Sequence, residues 1–169
     1  MGYGLGPVVR LNVGDDRAKK VVAMSEEYKA LAERMPTEVF NQGKLEVIDE
    51  IVHPDFVDHG VPLPGASPDR EGLKAMVSLI RRAFPDLHNS INNVIGEGDL
   101  VATHVTSTGT MKGELAGMPP SGKQATWDAI HIVRFRDGKL AEHWVVQDQL
   151  GMLQQLGFME APGPAQPVR

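Results

Sequence analysis

The dipeptide Asp137-Gly138 constrains this chain more than any other feature. A two-residue turn of the I′ type needs positive φ at both central positions, and Asp-Gly is one of the few pairs that accept it. On either side lie stretches rich in β-branched and aromatic residues, 124–136 and 139–148. Together they predict an antiparallel hairpin near the C-terminus. With the turn fixed, Arg136 opposes Lys139, and the ladder runs back through Val133 with Glu142, His131 with Trp144, Ala129 with Val146 and Trp127 with Asp148. Side chains alternate along strands, so these last eight residues share one face. That face holds both tryptophans of the chain. Two indoles rarely point together into water, so it is predicted to face inward, with Glu142 at the rim near the hairpin tip.

A second hairpin precedes it. Residues 87–95 alternate with period two, the group Gly96-Glu97-Gly98-Asp99 turns, and residues 100–110 are again β-branched. With Gly98-Asp99 as the central pair, Asn93 opposes His104 and Ile91 opposes Thr106. His104 then shares a face with Ile91, Ile95 and Ala102, and it too is predicted to point inward.

The N-terminal half is helical. Val22, Leu31, Met35, Val39 and Phe40 recur at near-helical spacing over residues 16–41, interrupted by Pro36, which should kink or divide the helix. Leu45, Ile48, Ile51 and Val52 form a second short stripe closed by His53-Pro54. An extended piece, residues 55–59, leads into a loop at 60–68 that holds three prolines and two glycines. The clearest helix is 69–83, with Leu73, Met76, Val77 and Ile80 at i, i+3, i+4 and i+7 and Ser67 or Asp69 as cap. Leu150, Met152, Leu153 and Leu156 suggest a last short helix. Helices first and strands second read as α+β: helices packed on a strongly curved antiparallel sheet of about four strands, forming a cone around a pocket. We expect a flexible segment at 1–15, a single domain at 16–158 and a flexible tail at 159–169, where prolines cluster.

Bulk properties exclude several classes of function. The chain has 169 residues, a net charge of −5 and no basic cluster longer than Arg81-Arg82, so neither nucleic acid nor an anionic membrane is an expected partner. Without cysteine there is no disulfide and no thiolate nucleophile or ligand. No apolar run approaches bilayer length and residues 1–12 do not read as a signal peptide, which makes the cytoplasm the expected compartment. Phosphate loops, dinucleotide fingerprints and metal-binding His-x-x-x-His spacings are missing from the sequence, and no metal is expected.

Proton transfer is the chemistry that remains. A carboxylate among aromatic walls has its pKa raised, which suits a general base, and an imidazole or indole N–H nearby can stabilise a developing oxyanion. Asp148, His131 and His104 are therefore the candidate catalytic residues. Trp127, Trp144, His59, Phe56 and Val146 are candidate substrate contacts. Asp58 and His59, where a strand meets the Pro/Gly loop, form a secondary candidate pair; His53, His88 and His143 read as surface or packing residues. Against this stands a simpler reading in which an inward aspartate is a hydrogen-bonded structural acid.

Several ordered motifs resemble one family. They are Val39-Phe40-Asn41-Gln42-Gly43-Lys44-Leu45, His53-Pro54-Asp55-Phe56-Val57-Asp58-His59-Gly60, Ala83-Phe84-Pro85-Asp86-Leu87, Gly117-Met118-Pro119-Pro120-Ser121-Gly122-Lys123, and the run from Asp137-Gly138-Lys139-Leu140-Ala141-Glu142-His143-Trp144 through Asp148 to Leu156-Gly157. In this order they resemble the SnoaL-like polyketide cyclases, or ester cyclases, over roughly residues 20–157. The resemblance implies a nuclear-transport-factor-2-like α+β cone, no cofactor and a homo-oligomer, dimer or tetramer. It also implies a small-molecule carbonyl substrate. In that family a pocket aspartate removes an acidic α-proton and the carbanion closes a ring by intramolecular aldol addition. The resemblance points to Asp148 as that aspartate and to His131 as its histidine partner; His104 stands where an arginine is often expected.

Two other readings use the same fold. One is an isomerase or hydrolase working by proton transfer; epoxide opening would need an Asp–Arg–Asp set, and Arg134 falls on the face opposite Asp148. The other is a non-catalytic binding module for a small apolar ligand. Replacing Asp148 with Asn would separate catalysis from binding.

Overall fold

The structure, a computed structural model, describes residues 16–60 and 67–160. The expected segment at 1–15, the tail beyond 160 and most of the Pro/Gly loop lie outside the described residues.

Helix α1 spans Asp16–Arg34 and runs directly into a π-helical turn, Met35–Phe40. Pro36 explains the change of pitch. It has no N–H to donate, and the widened turn closes instead through the Asn41 N–H donating to the Pro36 carbonyl at 3.1 Å. Helix α2, Glu46–Ile51, buries Val47, Ile48 and Ile51. Helix α3, Arg70–Ala83, starts where Asp69 accepts a hydrogen bond from the Gly72 N–H at 2.9 Å.

The strands are β1 (Val52–Asp58), β2 (His88–Glu97), β3 (Leu100–Thr110), β4 (Gln124–Arg136) and β5 (Lys139–Gln147), in the spatial order β1-β5-β4-β3-β2. The sheet has five strands rather than about four. The extra one is β1, which pairs parallel with β5 through Val57 with Glu142 and Asp58 with His143. The extended piece read at 55–59 covers its second half, but a parallel edge strand has no turn to announce its partner in the sequence. Asp137 and Gly138 have φ of +52° and +73°, the pair of left-handed residues that the I′ turn requires. Helix α4, Gln149–Leu156, closes the chain against β4, to which Gln155 is tied by hydrogen bonds with both the N–H and the carbonyl of Thr126.

One face of the sheet is covered by helices and the other is not. Along β3 and β4 burial alternates residue by residue, with Val101, Thr103, Val105, Ser107, Ala125, Trp127, Ala129, Val133 and Phe135 buried. Two apolar clusters fill this inner face from its ends. Tyr28, Ile48, Ile51, Phe56, Val77, Val101, Val133 and Phe135 form the first, and Phe84, Met111, Ala125, Trp127, Met152 and Leu156 form the second. Asn41 staples the π turn to the sheet: its side chain both donates to the carbonyl and accepts from the N–H of Asn89, much as a strand would.

Candidate active site

Both hairpins contain a bulge, and the bulges decide which side chains reach the inner face. From Arg136 with Lys139 and Phe135 with Leu140 the β4–β5 ladder follows the turn, but the next pair is Arg134 with Glu142. Ala141 is the extra residue, and both it and Leu140 are buried. Beyond it every residue of β5 changes side. His131 faces Val145 rather than Trp144, and Ala129 faces Gln147 rather than Val146. The inner face of β5 therefore carries His143, Val145 and Gln147. Trp144 and Val146, predicted to point inward, and Glu142, predicted at the rim, lie outside, and Val146 is 79% exposed.

Asp148 is corrected with them. It stands at the end of β5 on the exposed side, and its carboxylate caps α4 by accepting the Gly151 N–H at 2.8 Å. A Cβ on Gly151 would sit 2.2 Å from that carboxylate, so the glycine and the cap belong together. His104 also lies outside. It pairs with Asn93 as predicted, but the inner face of β3 is the one carrying Thr103 and Val105, while Ile95, its neighbour in the prediction, is 68% exposed. Its ring stands 3.8 Å from Asp128 and beside Asn92, a residue that a bulge between Ile91 and Asn93 sets out of the ladder. His59 is on the outer face as well, stacked on Trp144. Of the remaining candidates, His131 and Trp127 face inward as predicted, and Phe56 is inside but belongs to the first apolar cluster.

Between the two apolar clusters the inner face is occupied by Thr103, Val105, Ala129, His131, Val145 and Gln147. Here a chain of three ionisable groups crosses the sheet. Asp58, the last residue of β1, lies 3.0 Å by its Oδ1 from Nδ1 of His143, and His143 Nε2 lies 3.0 Å from Nδ1 of His131. The two imidazoles are nearly coplanar, 16° apart with centroids at 5.3 Å. Neither Asp58 nor His143 is a leading candidate in the sequence. Asp58 is a secondary one and His143 reads as packing, because the bulge that turns it inward leaves no mark there.

With both imidazoles neutral, chemistry fixes the protons along this chain. A carboxylate only accepts, so His143 Nδ1 carries a proton and donates to Asp58. Nε2 of a neutral His143 is then an acceptor, and His131 Nδ1–H donates to it. Nε2 of His131 is left with its lone pair on the far side of the ring, away from His143. Burial opposes the charge on Asp58, but the hydrogen bond from His143, the attraction to that ring whenever it is protonated, the Gly60 N–H at 2.8 Å and nearby His131 outweigh it and hold its pKa below the usual carboxylate range. Burial, with repulsion from His143 and only partial relief from Asp58, pushes His131 down to about 4. His131 is thus a neutral imidazole at physiological pH. The arrangement can hold, accept and pass on a proton at one atom. Among the described residues no group of three or more His, Asp or Glu is placed to hold a metal ion, and no helix is long and apolar enough to cross a membrane.

A curved, unclosed five-stranded sheet with helices on one face is the nuclear-transport-factor-2-like fold of the SnoaL-like proteins. Residues 30–156 match the SnoaL-like polyketide cyclase family, and the chain belongs to it. It is 31% identical over 130 residues to aklanonic acid methyl ester cyclase DnrD of Streptomyces peucetius, covering 73% of this chain and 87% of that one. Nogalonic acid methyl ester cyclase of Streptomyces nogalater is 29% identical over 119 residues, covering 70% and 89%. Among solved structures, IdmH of Streptomyces antibioticus, a putative polyketide cyclase in its own description, superposes with a TM-score of 0.66 at 34% identity, covering 76% and 96%. TsrD of Streptomyces laurentii gives 0.72 at 28% identity, covering 79% and 97%.

Proposed function

We propose that this protein is a cofactor-independent cyclase that closes a ring by intramolecular aldol addition on a polyketide ester or similar β-dicarbonyl substrate. The observation that carries the reading is the Asp58–His143–His131 chain on the inner face. His131 Nε2 takes the acidic proton from a carbon flanked by carbonyls, and that carbon attacks a second carbonyl of the same molecule. One C–C bond forms, the new alkoxide takes a proton back, and the net change is an isomerisation. As Nε2 gains its proton, the Nδ1 proton can pass to His143, where Asp58 balances the charge. His131 then remains as a neutral N–H donor beside the oxyanion. Thr103, paired with His131 across the ladder, and Gln147 are polar neighbours on the same face. Trp127 supplies an apolar wall. Membership of a family whose curated relatives are methyl ester cyclases supports the substrate class.

The test compares two variants on a methyl ester substrate of the kind its relatives cyclise. His131→Gln should lower turnover by about 10²–10⁴, the usual worth of a general base. Asp148→Asn should leave it within a few-fold, because that side chain caps α4 and asparagine caps equally well. Full activity in His131→Gln would end this reading, and collapse in Asp148→Asn with the fold intact would return the role to Asp148.

A homo-oligomer goes with this proposal. Ile95, Ile130, Ile132 and Val146 are each at least 40% exposed and adjoin across the uncovered face, an apolar surface that a second copy would cover. A monomeric mass in solution at micromolar concentration would contradict it. The cytoplasm is the compartment we propose, which fractionation tests.

A further inference from the structure

The inner chain begins at Asp58, and Asp58 is the last residue of its strand. The direction of its carboxylate depends on the turn that leaves the strand at His59 and Gly60. The Asp58 N–H donates to the Pro68 carbonyl at 2.9 Å, and beyond Asp58, among the described residues, one ladder bond remains, from the His59 N–H to the His143 carbonyl at 2.8 Å. The next residue, Gly60, donates its N–H to Asp58 Oδ1, and a Cβ there would stand 3.0 Å from that oxygen and 3.1 Å from Val145. The three-residue turn is therefore tight on its inner side. On the outer side it is held by the His59 side chain. The His59 ring lies flat on Trp144, 4.7 Å between centroids and 9° between planes, while its Nε2 meets Glu142 Oε2 at 2.9 Å. Glu142 is held in turn by Arg134 Nε at 3.2 Å, and the Arg134 guanidinium lies 5.9 Å from the Trp144 ring centre.

We infer that His59 is a positioning residue: clamped to Trp144 and Glu142 on the outer face, it fixes the end of β1 and thereby aims Asp58 at His143 on the inner face. The inference rests on the proposed catalytic role of the inner chain for its kinetic consequence, but not for its structural one. The strand alternation makes the coupling direct. Asp58 and His59 are neighbours with side chains on opposite faces, and the partners that receive them, His143 and Trp144, are neighbours as well. Releasing His59 frees the turn that holds Asp58 Oδ1 against two donors. A displacement there lengthens the Asp58–His143 hydrogen bond and weakens the preference for a proton on His143 Nδ1.

The experiment compares His59→Ala with His59→Phe in the full-length protein. The His143 Nδ1–H, hydrogen-bonded to Asp58, is read by ¹⁵N NMR of the imidazoles alongside kcat and KM. His59→Ala should broaden or erase that signal and lower kcat by about ten- to a hundredfold, the loss expected from misplacing a group near the chemistry, with KM changed far less. His59→Phe keeps a flat ring on Trp144 and should restore most of the signal and the rate. An unchanged Nδ1–H signal in a folded His59→Ala protein would overturn the positioning role. Loss of the signal with unaltered kcat would uphold that role and refute the inner chain as the catalytic base.

Discussion

Two histidine–carboxylate contacts occupy opposite faces of the same pair of strands, and they differ little in length. His143 and Asp58 meet at 3.0 Å inside, and His59 and Glu142 at 2.9 Å outside. Their surroundings differ. The inner side chains are 14% and 19% exposed, the outer ones 39% and 35%. Outside, water competes for each group, and such a pair contributes roughly 0–1 kcal/mol. Inside, desolvation makes an unmatched proton expensive, so the contact dictates which nitrogen is protonated all the way to His131. Distance alone would have ranked the two as equals. Burial separates a clamp from a proton path.

The two contacts should part most widely when Asp58 is changed. Asp58→Asn preserves shape but can present an N–H to His143, reversing the tautomer and leaving His131 without a free lone pair. Turnover should fall by about 10²–10⁴, as when the orienting acid of a catalytic histidine is neutralised elsewhere, while the circular dichroism spectrum stays native. A loss under tenfold would contradict the proton assignment. Acid probes the same contrast through His131. Its pKa is about 4 in the folded protein against 6.5 when unperturbed, so between these values the unfolded chain binds a proton that the native one does not. Stability should therefore decline as pH falls from about 6.5 to about 4, by roughly 3 kcal/mol in all, and show no contribution from this group above that window. Denaturant titrations of the parent and His131→Gln at several pH values isolate the effect, which the variant should lack. The smallest change belongs to the outer pair: Glu142→Gln should cost less than about 1 kcal/mol by denaturant titration, and less still in high salt.

Much of this molecule is legible in its sequence. The Asp137-Gly138 turn, the α3 stripe with its Asp69 cap, the break at Pro36 and the inward face of β4 all follow from local rules whose signals lie within a few residues. His131 and Trp127 fall where expected for that reason. Failures begin where a single unpaired residue enters a ladder. Ala141 costs nothing visible in composition or periodicity, yet it puts Glu142, Trp144 and Val146 outside and brings His143 in. Asp148 looks inward by the same arithmetic and is instead a helix cap, a role for which aspartate is equally suited. His104 is misplaced for another reason: Ile91, Ile95 and Ala102 make its face look apolar, although the buried side of β3 is the one with Val101, Thr103 and Val105. Asp58 depends on a parallel pairing between distant segments, which no short-range pattern encodes.

The bulge at Ala141 has a further consequence. Strand β5 carries two interleaved messages, one spelled by Glu142, Trp144 and Val146 and the other by His143, Val145 and Gln147. The inserted residue sets the phase in which they are read, much as a frameshift does in a coding sequence. Drawing Ala141 into regular pairing with Arg134 would exchange the two messages wholesale, putting the Glu142 carboxylate where the His143 imidazole now stands and the Trp144 indole in place of Val145. A strand built this way can change its chemistry through a one-residue slip that alters no functional side chain, while deleting the bulged residue would leave the present pairs intact.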